Sequence, residues 1–206
     1  MAVAMGVAFT LTWLFGTNNE HIRNENKPSE NKTEKAEQPA QAMETKAENA
    51  DVADDGIITA PLSGKAVKLE NVPDQTFAQG ILGLGAAIEP TEGKVVAPDD
   101  GKVETLFDTF HAIGLTLDNG KELLIHVGIN TVELKGEGFK AYVSEGDRVT
   151  KGQTLITFDM DFIKSKGYQT ITPVLVGNSD EFASVEELAE EGTQVTIGDK
   201  LIKVNA

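Results

Sequence analysis

The chain has 206 residues, a formal net charge of −15 at pH 7 and no cysteine. This length suits one domain with extensions or two small domains, and a hydrophobic fraction of 40% is sufficient for one core. The negative charge argues against nucleic acid and anionic lipid surfaces as partners, because phosphate contacts need clustered lysine and arginine side chains. The lack of cysteine excludes a disulfide framework, zinc–thiolate sites and cysteine nucleophiles.

Residues 1–16 are mostly apolar and contain no charged side chain. They are slightly too few to span a bilayer, which takes about 20 apolar residues. A signal peptide would begin with basic residues and end at a small-residue cleavage site, and this stretch has neither. Because Trp13 and Phe15 stand near its polar edge, the stretch is predicted to be the truncated end of a membrane helix, with a cropped core helix as the alternative.

Residues 17–55 are rich in Glu, Lys, Asn, Gln and Ala and contain no aromatic residue. Such a composition cannot bury enough apolar surface to offset the entropy of ordering, so it predicts a flexible polar linker. As a coil it would have an end-to-end distance of roughly 35 Å, which lets a tethered domain reach a neighbouring one.

Residues 56–206 have the pattern of a folded domain, in which short β-prone runs alternate with turn signals. The runs are Ile57–Thr59, Lys65–Leu69, Ala86–Ile88, Lys94–Ala97, Lys102–Phe107, Ile113–Leu117, Glu122–Val127, Thr154–Phe158 and Ile171–Val176. Helical patterns are confined to Met160–Lys166 and Ser184–Glu191. The sequence therefore predicts an all-β fold, a sandwich- or barrel-like hybrid of short antiparallel strands with minor helix.

Two histidines, His111 and His126, stand in or beside apolar strand-like runs, with the turn Asp118-Asn119-Gly120 between them. An Asn-Gly turn between alternating apolar residues is a strong hairpin signal, and that hairpin would bring both imidazoles to the same end of adjacent strands. A single buried histidine is more often a packing residue. A pair brought together in a histidine-poor domain favours chemistry near neutral pH.

A series of short motifs follows in a fixed order through the domain. They are Ala60-Pro61-Leu62-Ser63-Gly64, Val72-Pro73-Asp74, Val96-Ala97-Pro98, Thr109 with His111-Ala112, and the run from Ile125 to Phe139. In this order, residues 57–206 closely resemble the glucose-family enzyme IIA domain of the bacterial phosphoenolpyruvate-dependent sugar phosphotransferase system. The resemblance suggests the C-terminal part of a sugar permease with fused domains.

The resemblance implies a phosphoryl carrier and assigns four residues to the chemistry. His126 occupies the acceptor position, and His111 the position of the histidine that hydrogen-bonds the phosphoryl oxygens. Thr109 would orient His111, and Gly128 would offer its carbonyl to the acceptor ring. The implied donor is the small histidine phosphocarrier protein, and the implied recipient is a cysteine on the permease's IIB domain, at the cytoplasmic face of the membrane. No cofactor or metal is implied.

The resemblance also implies a partner-binding rim. Its members are Asp74, Phe77, Ile81, Leu82, Phe107, Asn130 and Val132. Asp74 would pair with partner arginines, while ordinary core packing is the alternative for each apolar member. The family has aspartate where this chain has Asn130, which predicts weaker arginine pairing with phosphorylation of His126 intact. Leu84, between Gly83 and Gly85, also departs from a more usual Gly-Asp-Gly.

Three other functions are alternatives for this domain. A zinc endopeptidase of related architecture needs a third protein ligand, which two histidines in the domain do not supply. A biotinyl or lipoyl carrier shares the pattern of residues 143–155 but needs a modified lysine on an earlier hairpin tip, which is absent. A regulatory partner-binding domain, phosphorylated as a signal without onward transfer, remains open.

Overall fold

β-Strands account for most of the regular structure of residues 55–206, the part of the chain that the computed structural model describes. The fourteen strands of this part are β1 (Ile57–Thr59), β2 (Gly64–Lys68), β3 (Leu84–Pro90), β4 (Lys94–Val96), β5 (Gly101–Leu106), β6 (Ala112–Leu117), β7 (Glu122–His126), β8 (Phe139–Ala141), β9 (Arg148–Val149), β10 (Thr154–Phe158), β11 (Thr172–Val176), β12 (Ser184–Glu187), β13 (Gln194–Val195) and β14 (Lys200–Asn205). The predicted membrane helix, and the predicted linker apart from Asp55, lie outside the described residues.

Helical structure in this part of the chain is short. There are two α-helices, α1 (Gln75–Ala78) and α2 (Met160–Ser165), and three 3-10 helices, Leu69–Asn71, Thr131–Leu134 and Ser179–Glu181. Asp74 and Asp159 cap the two α-helices by accepting hydrogen bonds from backbone N–H groups of the first turn. Within residues 55–206 no helix has the length and apolar character needed to cross a lipid bilayer.

The strands form three sheets. The largest has eight strands in the order β13-β2-β3-β11-β7-β6-β5-β9, and the other two have the orders β1-β14-β12 and β4-β10-β8. Every strand pairing among the described residues is antiparallel. The predicted fold class, all-β with short antiparallel strands and minor helix, is confirmed.

The predicted hairpin is formed by β6 and β7. Ala112 pairs with His126 and Thr116 with Glu122, and residues 118–121 make the turn. Alternate side chains of both strands, such as Ile113, Leu115 and Ile125, are buried in the main apolar core, as the period of two requires for one buried face. Burial on this face fixes the register of the hairpin.

Strand β11 lies in the middle of the large sheet, and all five of its residues are buried. It pairs with β3 along its whole length, but its ladder with β7 begins only at Val174, opposite Ile125. Pro173, the preceding residue, has no N–H to donate to a neighbouring strand. The ladder therefore ends one residue short of His126.

The predicted helix at Ser184–Glu191 is wrong, whereas the one at Met160–Lys166 is present as α2. Residues Ser184–Glu187 form β12, which pairs antiparallel with β14. Glu, Leu and Ala favour a helix locally, but the half-buried Val185 packs against the core from β12. Pairing and packing with a strand distant in sequence override the local preference.

Candidate functional site

The two imidazoles lie side by side at the end of the β6–β7 hairpin opposite its turn. His111 precedes β6, His126 is the last residue of β7, and the Val127 N–H donates to the His111 carbonyl over 2.7 Å. Their ring centroids are 4.9 Å apart, and the rings meet edge to face at 85°. The hairpin register thus produces the histidine pair that the sequence predicted.

His111 is held in a tight turn and is only 5% exposed. Its Nδ1 shares a hydrogen bond of 2.5 Å with the Thr109 hydroxyl, and the Phe107 ring lies 5.4 Å from its own ring. Phe110, between Thr109 and His111 in the sequence, has a φ of 54°, in the left-handed region that bulky residues rarely adopt. Its N–H donates to the Phe107 carbonyl. Such a conformation costs about 1–3 kcal/mol and persists because the turn is fixed at both ends.

His126 is half-buried, and the Phe77 ring lies 5.0 Å from its own ring. Its Nδ1 lies 2.8 Å from the Gly128 carbonyl oxygen. Because a carbonyl can only accept, this hydrogen bond assigns the proton to Nδ1 and leaves the lone pair on Nε2. The ring is therefore arranged to attack through Nε2.

Burial keeps both imidazoles neutral near pH 7. Burial, and to a lesser extent the charge of His126, lowers the pKa of His111 to about 4. Burial also lowers the pKa of His126, although its hydrogen bond to the Gly128 carbonyl and the Asp74 carboxylate oppose that shift. A neutral imidazole is the form that acts as a nucleophile.

The predicted rim residues differ in exposure. Ile81, Leu82, Phe107 and Val132 are 66%, 42%, 43% and 46% exposed, so ordinary core packing does not account for these four. Phe77 is only 6% exposed and belongs to a small apolar cluster, from which its ring also reaches His126.

The two polar rim residues hold local backbone structure. The Asp74 carboxylate caps α1 by accepting from the Thr76 N–H over 2.8 Å. Asn130 is exposed, has a φ of 59° and precedes the 3-10 helix Thr131–Leu134. Asparagine adopts this left-handed conformation more readily than most residues.

The described residues, 55–206, contain no group of three or more histidine, aspartate or glutamate side chains placed to hold a metal ion. A catalytic zinc site takes three such protein ligands. The described residues therefore give the zinc endopeptidase alternative no site.

Comparison with known proteins decides the family. A family described as "phosphoenolpyruvate-dependent sugar phosphotransferase system, EIIA 1" matches residues 56–182. The chain belongs to this EIIA family. The EIIA domain is accordingly a phosphotransferase that carries phosphoryl groups in a sugar transport system, as the sequence predicted.

Similar proteins include glucose-specific EIIA components. The one from Halalkalibacterium halodurans is 49% identical over 138 residues, which cover 67% of this chain and 80% of the relative. The one from Bacillus cereus is 50% identical over 129 residues, covering 63% of this chain and 78% of the relative. Among solved structures, glucose permease IIA from Mycoplasma capricolum matches with a TM-score of 0.63 and 31% identity, covering 71% of this chain and 93% of that one.

The neutral state of His111 in the EIIA domain predicts a loss of stability in acid. Its pKa is lower in the folded domain than the usual 6.5 of an unfolded chain, so the unfolded chain binds the proton more tightly. The resulting destabilisation is negligible above the pKa of His111 in the unfolded chain. It grows as the pH falls towards the pKa of His111 in the folded domain. We expect His111 to cost about 2 kcal/mol of unfolding free energy between roughly pH 7.5 and pH 5.

Urea denaturation of wild type and His111→Gln at both pH values measures this effect, because the carboxylates contribute equally to both proteins. The wild type should lose about 2 kcal/mol more than the variant over this interval. Equal losses would contradict the neutral assignment of His111.

Two contacts near the histidines were not predicted from the sequence. The Thr131 hydroxyl, in the 3-10 helix after His126, donates to the Val127 carbonyl, and the Gln169 carbonyl accepts from the Ile129 N–H. Thr131 belongs to the run from Ile125 to Phe139 that carries the family resemblance, but nothing in that run indicates that its hydroxyl bonds to the backbone. A backbone carbonyl from a segment 40 residues away carries no residue-type signal at all.

Proposed function

We propose that His126 is the phosphoryl acceptor of this EIIA domain and that Nε2 forms the bond to phosphorus. The observation that carries the proposal is the 2.8 Å hydrogen bond between His126 Nδ1 and the Gly128 carbonyl. It directs the lone pair to Nε2, on a ring whose neighbour is a second neutral imidazole.

His111 is proposed to stabilise the phosphoryl oxygens, and Thr109 to orient His111. If the Thr109 hydroxyl donates to His111 Nδ1, the proton of the neutral ring resides on Nε2, which then serves as a donor. A phosphoryl group on His126 would bring negative charge close to His111 and raise its proton affinity. The hydrogen bond would therefore strengthen as the phosphoryl group arrives and weaken as it leaves.

The proposed cycle has two displacement steps. In the first, the phosphorus–nitrogen bond on the histidine of the phosphocarrier protein breaks as a bond to His126 Nε2 forms. In the second, the bond to His126 breaks as a phosphorus–sulfur bond forms on the IIB cysteine. Such transfers depend mainly on positioning and on stabilising the equatorial oxygens, and a phosphoramidate is labile enough for the group to be passed on.

Two protein partners are proposed to bind the face formed by the rim, the histidine phosphocarrier protein and the IIB domain of a sugar permease. Ile81, Leu82, Phe107 and Val132 offer exposed apolar surface, and Asp74 offers a carboxylate. The net charge of −15 favours encounter with partners that have a basic docking face. The domain is proposed to work at the cytoplasmic face of the membrane, joined to it only through the N-terminal segment.

Reconstitution tests the carrier role. The full chain is incubated with phosphoenolpyruvate, enzyme I and the phosphocarrier protein, and its intact mass is measured before and after mild acid. We expect one acid-labile phosphoryl group per chain. A chain that stays unmodified beside a glucose-specific EIIA component that is phosphorylated would contradict the proposal.

Asn130 is expected to weaken partner binding without affecting acceptance of the phosphoryl group. Asn130→Asp restores the family's carboxylate at an exposed position, and aspartate also tolerates a φ of 59°. We expect affinity for arginine-bearing partners to rise about 2- to 5-fold at low salt, in line with an exposed ion pair. Titration calorimetry with the phosphocarrier protein and with the IIB domain measures the change.

Asn119→Asp is the matched control, because it adds the same charge at the exposed turn of the β6–β7 hairpin, the end away from the histidines. Its affinities should equal those of wild type. If Asn130→Asp leaves affinity for both partners unchanged, the interpretation of Asn130 is wrong.

A further inference from the structure

We infer that the Thr131 hydroxyl and the Gln169 backbone carbonyl are positioning groups that hold the proton of His126 on Nδ1. This inference rests on the proposed function of His126 and extends it to two groups that do not touch the reacting atoms. It concerns the loop of residues 127–131, which follows β7 directly.

The peptide group between Gly128 and Ile129 is held at both of its polar ends. Its carbonyl accepts from His126 Nδ1 over 2.8 Å, and its N–H donates to the Gln169 carbonyl over 3.0 Å. In a planar trans peptide the C=O and N–H bonds point in opposite directions. Anchoring the N–H on Gln169 therefore aims the carbonyl at the imidazole.

The preceding peptide group, between Val127 and Gly128, is held by Thr131. The Val127 carbonyl accepts from the Thr131 hydroxyl over 2.5 Å, and Thr131 is fully buried. The Val127 N–H in turn donates to the His111 carbonyl over 2.7 Å. The backbone on both sides of Gly128 is thus held by hydrogen bonds that do not involve the His126 ring.

The same two residues close the space around Gly128, Thr131 through its methyl group and Gln169 through its carbonyl oxygen. This residue has a φ of 76°, and a Cβ added to it would lie 2.5 Å from Thr131 Cγ2 and 2.6 Å from the Gln169 oxygen. These distances leave no room for a side chain, so the loop is packed as well as hydrogen-bonded in this conformation. A rotated Gly128–Ile129 peptide would lose the hydrogen bond from the Ile129 N–H to the Gln169 carbonyl.

The orientation of this peptide matters because a neutral imidazole has two tautomers. The hydrogen bond made by one ring nitrogen decides which nitrogen keeps the proton. If the Gly128 carbonyl turned away, the proton would be free to reside on Nε2, and that nitrogen would no longer present a lone pair. Thr131 and Gln169 therefore act on the reaction through the tautomer of His126.

The test compares Thr131→Val, which removes the hydroxyl at nearly constant shape, with Thr131→Ser, which keeps it. The readouts are the nitrogen-15 chemical shifts of the His126 ring and the initial rate of phosphorylation by the phosphocarrier protein. Wild type and Thr131→Ser should show Nδ1 protonated and Nε2 unprotonated. Thr131→Val should show a mixture of tautomers and accept phosphoryl about 10-fold more slowly, the lower end of the loss seen when a metal-binding histidine loses its orienting partner.

A control separates positioning from general destabilisation. Thr59→Val removes a buried hydroxyl that donates to the Pro98 carbonyl over 2.7 Å, away from the histidine loop, and should leave tautomer and rate as in wild type. A rate loss in Thr59→Val equal to that in Thr131→Val would overturn the inference.

A wild-type spectrum and rate in Thr131→Val would also overturn it. If Thr131→Val does not fold, Thr131→Ser decides, since a shifted tautomer in a variant that keeps the hydroxyl contradicts the assignment. The ring spectrum needs no partner protein. A failure of His126 to accept phosphoryl is therefore distinguishable from a failure of Thr131 to set the tautomer.

Discussion

Replacing His126 with glutamine is expected to reduce phosphorylation of the chain to background. Glutamine is close to histidine in length and fills much of its space beside Phe77, but its amide nitrogen has no lone pair available for attack on phosphorus. Removing a nucleophile typically leaves only the activity that the surrounding groups provide, which yields no covalent product here. Intact mass after incubation with phosphoenolpyruvate, enzyme I and the phosphocarrier protein measures the result.

Thermal unfolding of His126→Gln, compared with wild type, shows whether the variant is folded when it is tested. The chain has two other histidines, His111 and His21, the second of which lies outside the described residues. An acid-labile phosphoryl group that persists on His126→Gln would transfer the acceptor role to one of them. Fragment mass mapping under neutral conditions would say which.

Replacing His111 with alanine is expected to separate acceptance from onward transfer. His126 keeps its hydrogen bond to Gly128 in this variant, so its Nε2 is still able to take the phosphoryl group. The variant lacks the hydrogen-bond donor that we assign to the phosphoryl oxygens. Losing such a donor typically costs about 10²- to 10³-fold, and we expect this loss in the rate of onward transfer. Phosphorylation by the phosphocarrier protein, stopped by rapid quench, gives the rate of acceptance, and single-turnover transfer from the phosphorylated protein to a IIB domain gives the rate of onward transfer.

Thr109→Val is the informative companion to His111→Ala, because it leaves the ring in place and removes only the hydroxyl partner of Nδ1. Its transfer rate should fall between those of wild type and His111→Ala. Equal transfer rates in wild type and His111→Ala would exclude the proposed role of His111. A phosphorylated wild type that retains its phosphoryl group beside an active IIB domain would favour the regulatory alternative.

The hairpin that carries the site could be predicted from the sequence because its signals are local. Asp118-Asn119-Gly120 marks the turn, and the alternating apolar residues on either side fix which face is buried. The hairpin also predicted that His111 and His126 form a pair, the family resemblance assigned a role to each, and the register brings the two rings together. Their chemical roles remain predictions that the experiments above address.

Other features depend on contacts that local sequence does not encode. Ser184–Glu187 has a helix-favouring composition, but it is a strand because β14 offers it a pairing edge. The left-handed Phe110 contradicts residue preference, since the turn around Thr109 and His111 imposes the conformation. The anchoring of the Gly128–Ile129 peptide depends on the backbone carbonyl of residue 169, after α2. Any amino acid at position 169 would supply that carbonyl equally well.

The register of β6 against β7 also limits how this domain tolerates change in length. Since successive side chains of a strand point to opposite faces, a one-residue insertion within Glu122–His126 would turn the acceptor imidazole away from His111. The turn at Asn119 lies beyond the other end of β7, whose five residues span about 17 Å, and an insertion there leaves the pairing untouched. Within this hairpin, length variation compatible with phosphoryl transfer is therefore confined to the turn. The paired strands fix the positions of the two imidazoles at their other end.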